Sequence, residues 1–117
     1  QGTDRRIWPW GNEFHATNCN NAFDRPTPVD AFSKGQSQYG AMDLVGNVWQ
    51  MTDDLYFNGT NYFSVIRGGS YYKPESSWWY VQGGPQPVDN PQILLQVSPG
   101  FDRCATVGFR CVKDARP

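Results

Sequence analysis

Apolar positions along this chain come in short runs, cut by glycine, proline and asparagine every few residues. No stretch repeats its apolar residues at helical spacing, so little regular helix is expected. Residues 62–67, Tyr-Phe-Ser-Val-Ile-Arg, form the clearest strand pattern, ended by Gly68-Gly69. Residues 45–51 begin a second strand, with Val48 and Trp49 supplying β-branched and aromatic character. Trp78-Trp79-Tyr80-Val81-Gln82 reads as a third, stopped by Gly83-Gly84-Pro85. Residues 92–97 are apolar but too short for periodicity to separate strand from helix. Residues 106–112 read as a terminal strand. Residues 1–38 are mostly loop. Within them Trp8-Pro9-Trp10-Gly11-Asn12 is a turn with two aromatic anchors, and residues 18–21 are an asparagine-rich turn. Residues 26–32, Pro-Thr-Pro-Val-Asp-Ala-Phe, read as extended, because proline fixes φ and biases the residue before it. Asn58-Gly59-Thr60 fits both a plain turn and the N-glycosylation sequon, and the turn is the simpler reading. The pattern predicts short strands embedded in long irregular connections, with no internal repeat or low-complexity tract.

Composition sharpens this picture. The 117 residues hold one domain at most. Twelve glycines and nine prolines make the chain turn-rich. Aromatic residues make up 15% of it, five of them tryptophan, so large rings replace aliphatic bulk in a core or on a binding surface. Ten Lys and Arg against eleven Asp and Glu leave no basic stripe for nucleic acid. No apolar run approaches the ~20 residues needed to span a bilayer. The three cysteines, Cys19, Cys104 and Cys111, are an odd number, so at least one is free or pairs outside the chain. Cys104 and Cys111 can bond only across a tight turn or hairpin, because disulfide Cα atoms lie ~4.4–6.8 Å apart.

Three blocks carry a more specific signal. They are Tyr39-Gly40-Ala41-Met42-Asp43-Leu44-Val45-Gly46-Asn47-Val48-Trp49-Gln50, then Ile66-Arg67-Gly68-Gly69-Ser70, then Gly108-Phe109-Arg110-Cys111. In that order they resemble the core of the formylglycine-generating, or sulfatase-modifying-factor, family. The resemblance runs from Trp8 through Cys111 and corresponds to roughly the C-terminal half of the family domain. It implies an α+β, modified C-type-lectin-like fold with short strands, long loops and little helix. It also implies that residues 1–117 are a single unit, the C-terminal part of such a domain. The partner would be the N-terminal half of the same domain, or another chain, and Cys111 stands where family members often carry a cysteine paired with that half.

The resemblance also says what to expect of chemistry. Formylglycine-generating members hold copper with two cysteines after the Gly-Gly-Ser block, at positions that are Lys73 and Trp78 here. Lysine offers a charged ammonium and tryptophan a lone N–H donor, so neither binds a soft metal. A related branch, the ergothioneine-type sulfoxide synthases, binds iron through histidines, and this chain has only His15. No copper or iron is therefore expected, and no catalytic residue is assigned.

Calcium is the expected cofactor. By the family pattern, Asp43 and Gln50 would bind it by side chain, and Gly46 and Val48 by backbone carbonyl. Calcium takes six to eight hard oxygen ligands and accepts carbonyls and amides. Gln50 replaces the family's usual glutamate, which removes one negative charge, and Asp43 partly compensates. The plain alternative is that Asp43 and Gln50 hydrogen-bond turn backbone. A second, weaker family site would map onto Asn18 and Asn21 by side chain and Cys19 and Phe23 by carbonyl, with an Asx-turn cluster as its alternative.

Tyr72, Lys73, Trp78, Trp79 and Tyr80 place aromatic platforms beside polar groups, which suits a glycan or protein ligand. The same rings would also serve as core in a chain short of Leu and Ile. Arg67 and Arg110, with Asp53 and Asp54, are expected to form loop-fixing ion pairs. His15 is expected at the surface. Together these readings predict a non-catalytic, calcium-stabilised binding or assembly domain, a pseudoenzyme of a secreted, periplasmic or cell-surface protein, most simply bacterial. The alternative is part of a formylglycine-generating-type oxidoreductase, or another enzyme whose active residues lie outside this chain. A lectin-fold display protein of the retroelement-diversified kind is a third reading, weakened because the segment after Gly-Gly-Ser is not asparagine-rich.

Overall fold

The computed structural model describes residues 4–21, 24–73, 84–95 and 105–115. They form one four-stranded sheet in the order β3-β2-β1-β4. Strand β1 is Trp49–Phe57, β2 is Tyr62–Arg67, β3 is Gln92–Leu95 and β4 is Val107–Gly108. β1 and β2 are an antiparallel hairpin, β3 runs antiparallel to β2, and β4 lies parallel to β1. Helix among the described residues is limited to two 3₁₀ turns, Ala16–Asn18 and Ser33–Gly35. The α part of the α+β expectation thus shrinks to these turns. No described helix is long and apolar enough to cross a membrane.

Strand β2 falls where its pattern predicts, and its burial alternates as a pleated strand requires. Ser64 and Ile66 are buried while their neighbours are half-buried. The turn at 58–61 closes the hairpin as expected. Asn58 Oδ1 accepts the backbone N–H of Thr60 at 2.9 Å and of Asn61 at 2.8 Å, so one side chain stands in for a missing backbone acceptor. Residues 92–95 settle as strand through pairing with β2, from Phe63↔Leu95 to Ile66↔Gln92.

Three strand boundaries differ from expectation, and the segment expected to stay extended over 26–32 turns instead at 28–31, where Ala31 N donates to Pro28 O at 3.1 Å. Residues 45–48 turn instead of starting a strand, because Gly46 and Asn47 take φ of 73° and 63°, left-handed values that strand backbone does not adopt. The strand then continues beyond Met51 to Phe57, through Asp53 and Asp54, residues of low strand propensity that lie exposed here. Between Met51 and Leu55 the register shifts, and Thr52 Oγ1 donates to Val65 O at 2.8 Å within that irregularity. The terminal strand is only Val107–Gly108. It pairs with Trp49 and Gln50 and stops where β1 begins to shift, since a bulging strand offers no regular edge to follow. The strand expected at 78–82 lies outside the described residues.

Among the described residues the apolar core is small: Cys19, Val45, Trp49 and Ile66. Buried polar residues outnumber it, among them Asn20, Asp43, Asn47, Ser64, Ser70, Gln86 and Thr106. A separate aromatic cluster forms near the start of the chain. Trp8 stacks on Trp10 with ring centroids 5.8 Å apart, and Phe14 tilts against both.

Candidate functional site

Asn47 is the centre of the loop network that carries the site. It is 5% exposed, and its side-chain oxygen accepts Thr27 N at 2.9 Å and Asn20 Nδ2 at 3.2 Å. Its own Nδ2 donates to Thr27 O at 3.1 Å. Its backbone donates to Asn20 O at 2.9 Å and accepts Tyr71 N at 3.0 Å. One residue thereby ties three chain segments together. Asparagine suits the task, because it tolerates the left-handed region and carries both a donor and an acceptor. Gly46 must precede it. A Cβ at position 46 would lie 2.6 Å from Asn20 O, and its φ is positive. Asn20, fully buried and not singled out by the sequence pattern, also donates to Arg25 O at 3.0 Å.

Beside this network lies a cleft of about 490 Å³. Asp30, Asp43, Asn47, Gln50 and Arg110 supply its polar lining. Asp43 is buried at a φ of 55°, and its Oδ2 has no hydrogen-bond partner. Burial pushes the Asp43 carboxyl above its ordinary value of 3.8; the nearby Arg110 charge opposes that rise and the Asp30 charge adds to it. Gln50 bridges the cleft wall. Its Nε2 donates to Asp43 O, and its Oε1 accepts Arg110 Nε at 2.5 Å. Arg110 Nη2 also donates to Met42 O.

These contacts test the expected calcium ligands. Asp43, Gly46, Val48 and Gln50 all fall on the one turn-and-strand-start segment, 43–50. Asp43 Oδ2 is a buried anionic oxygen with nothing to satisfy it, which is costly unless a charge partner arrives. No hydrogen bond among the described residues ends on the Gly46 or Val48 carbonyl. Asp43 and Val48 line the cleft and Gly46 is not among its lining residues, so the carboxylate is the oxygen there that best suits a hard cation. Gln50 joins it only by releasing Arg110. Among the described residues no three His, Cys, Asp or Glu side chains converge, so a ligand set here must lean on carbonyls and amides.

The asparagine-rich loop is arranged differently. Asn21 Nδ2 donates to Ala16 O at 2.5 Å and to Cys19 O at 3.1 Å, so the Cys19 carbonyl already accepts a hydrogen bond within its own loop. Asn18 Oδ1 accepts Thr17 Oγ1 at 3.4 Å. Phe23 lies outside the described residues. Burial pushes the Cys19 thiol up to about 11, partly opposed by the Asn21 hydrogen bond and the Lys73 charge. A thiol held neutral in this way is a small hydrophobe, not a nucleophile.

Tyr72 and Lys73 are exposed, just past the buried Gly69-Ser70 turn, while Trp78, Trp79 and Tyr80 lie outside the described residues. Tyr72 O accepts Gly84 N at 2.8 Å, and the Lys73 stem lies against Gly84. Cys111 is exposed and free, and Cys104 lies outside the described residues. The expected Arg–carboxylate pairs give way to another arrangement. Arg67 Nη1 donates to Val88 O at 2.8 Å and Arg110 serves Gln50 and Met42, so both arginines satisfy loop carbonyls and an amide that strands leave without partners. Among the described residues the ion pairs are Asp4–Arg6 and Asp24–Arg25. His15 is exposed, as expected.

A small sheet held by buried asparagine and glycine turns, with an acidic cleft at the start of its central strand, marks a loop-stabilised β domain. Residues 1–115 match the sulfatase-modifying factor enzyme 1-like domain, and the chain belongs to that family. It is 34% identical over 128 residues to the inactive C-alpha-formylglycine-generating enzyme 2 of Bos taurus, covering 97% of this chain and 40% of that protein. It is 27% identical over 145 residues to the formylglycine-generating enzyme of Mus musculus, covering 99% of this chain and 36% of the enzyme. A shorter match, 31% over 90 residues, links 57% of the chain to 21% of the hercynine oxygenase of Mycolicibacterium smegmatis. The chain therefore spans well under half the length of these curated relatives.

Proposed function

We propose that this chain is a catalytically silent member of its family, pinned by calcium, with a role in binding or assembly. The observation that carries the reading is Asp43 Oδ2, a buried carboxylate oxygen without a donor among the described residues, on the wall of the cleft. Calcium bound there would supply positive charge that neutralises Asp43 and ties the 43–50 segment together. Asp43, Gly46 and Val48 hold it, and Gln50 adds its amide oxygen when Arg110 lets go. The 18–21 loop is better read as an Asx-turn cluster, since Asn21 already binds the Cys19 carbonyl.

Silence toward copper rests on Lys73 and Trp78 standing where the family pattern places thiolates. A relative named inactive, at 34% identity, agrees with that reading. The exposed Tyr72 and Lys73 belong to the surface offered to a glycan or protein ligand. The fold reading that accompanies this function is C-type-lectin-like, and the setting is a secreted, periplasmic or cell-surface protein.

A thermal melt of the purified chain, with calcium and again with chelator, tests the core of the proposal. Calcium must raise the midpoint by mass action, with stoichiometric calcium in metal analysis. An unchanged midpoint, or bound copper, would overturn it. The second reading, part of a formylglycine-generating-type oxidoreductase, draws on the similarity to the mouse enzyme. It requires oxidase turnover from the chain joined to the rest of such a domain.

A further inference from the structure

The cleft beside Asp43 carries more negative charge than the ligands named so far account for. Asp30 lines the same cleft as Asp43. It stands on a tight turn in which Ala31 N donates to Pro28 O at 3.1 Å, so its position is set by a hydrogen-bonded loop. Asp30 is exposed, and the ion pairs among the described residues do not include it.

The charged groups lining the cleft are Asp30, Asp43 and Arg110, so one carboxylate charge is left over after Arg110 is counted. Gln50 is neutral, and both ends of its amide are engaged, by Asp43 O and by Arg110. Arg110 Nε and Nη2 donate to Gln50 Oε1 and Met42 O. Asp43 Oδ2 is left 92% buried in an acidic space, by its residue exposure of 8%, without a donor. Two carboxylates that share one cleft repel unless a cation lies between them.

We propose that Asp30 supplies the second carboxylate of a divalent-cation site whose first carboxylate is Asp43. The inference rests on the calcium reading above and adds a residue to it. Two carboxylates match the double charge of the ion, and the neighbouring carbonyls make the site one for calcium, which accepts many oxygens in irregular geometry. Asp30, at the mouth, also sets the charge that the entering ion meets.

Titration of the purified chain with calcium alone, by calorimetry and by terbium luminescence competition, tests this. Asp30→Asn is expected to weaken calcium binding roughly tenfold, while Asp30→Glu stays within about threefold. Asp89→Asn, at an exposed carboxylate outside the cleft, is expected to leave affinity unchanged. Unchanged melting of Asp30→Asn in chelator shows that the variant still folds. If the wild-type chain binds calcium and Asp30→Asn binds it equally well, the role of Asp30 falls and the calcium reading stands. If the wild-type chain takes no calcium, both fall together.

Discussion

The loop network around Asn47 and the far end of the β1–β2 hairpin reverse the usual distribution of polar and apolar residues. Around Asn47 the buried groups are amides, glycines and a carboxylate, each fastened by hydrogen bonds except Asp43 Oδ2. At the hairpin end the exposed groups are large and apolar: Leu55, Tyr56, Phe57 and Tyr62 are all about half exposed or more. Phe57 stacks on Tyr62 at 4.6 Å and Tyr56 tilts on Phe63 at 5.9 Å, so the rings mainly cover one another. The difference teaches where this fold's stability resides. A buried polar network is costly when one partner is removed, whereas an exposed ring loses little burial when trimmed.

The sharpest way to break the comparison is Asn47→Ala. It removes the acceptor of Thr27 N, the donor to Thr27 O and one of the acceptors of Asn20 Nδ2, and it puts alanine in a left-handed conformation, at an expected cost of about 4 kcal/mol in denaturant unfolding. Gly46→Ala follows at about 3 kcal/mol, because the new Cβ meets the Asn20 carbonyl and φ is positive. Both changes are expected to lower the chain's midpoint with or without calcium.

Asp43→Asn should instead change sign with calcium. In chelator, the folded chain holds the Asp43 proton to higher pH than the unfolded chain does. The stability from that bound proton is fully present below 3.8 and is lost as pH rises through the raised folded value. Asparagine cannot ionise, so in chelator at neutral pH the variant is expected to melt on the order of a few degrees above wild type. In saturating calcium it is expected to melt below wild type, since the carboxylate ligand is gone. A variant that melts lower under both conditions would mean that Asp43 serves the fold through contacts unrelated to charge.

Smaller effects lie toward the hairpin. Thr52→Val removes the hydroxyl that bridges the strand irregularity and is expected to cost about 1 kcal/mol. Tyr62→Thr, at the exposed tip, is expected to stay within about 0.5 kcal/mol by the same measurement. A large loss there would show that the rings at the tip are structural, and the contrast with the Asn47 network would narrow.

Legibility in the sequence follows the range of the interactions. Strand β2 and the Asn58 turn were readable because alternation and turn chemistry act between near neighbours. The extension of β1 through Asp53 and Asp54 was not, because the pairing of Leu55, Tyr56 and Phe57 with β2 beyond the register shift carries the strand across residues of low propensity. The family blocks pointed to Asp43 and Gln50 together, and both do line one cleft. They did not point to Arg110 as the partner of Gln50, nor to Asn20 beneath Asn47. An arginine expected to meet a carboxylate meets an amide and a carbonyl instead.

The chain's residues by themselves determined its family, its scarcity of helix and its clearest strand. These depend on composition, local spacing and side-chain chemistry, which no folding step alters. Tertiary structure decided which oxygens share a cleft and which buried oxygen is left without a donor. Hydrogen bonds between loops far apart in sequence have no period to announce them. Asn20 meets Asn47, and Asp30 and Asp43 line one cleft, because the left-handed turns at Asp43, Gly46 and Asn47 carry those segments to one place.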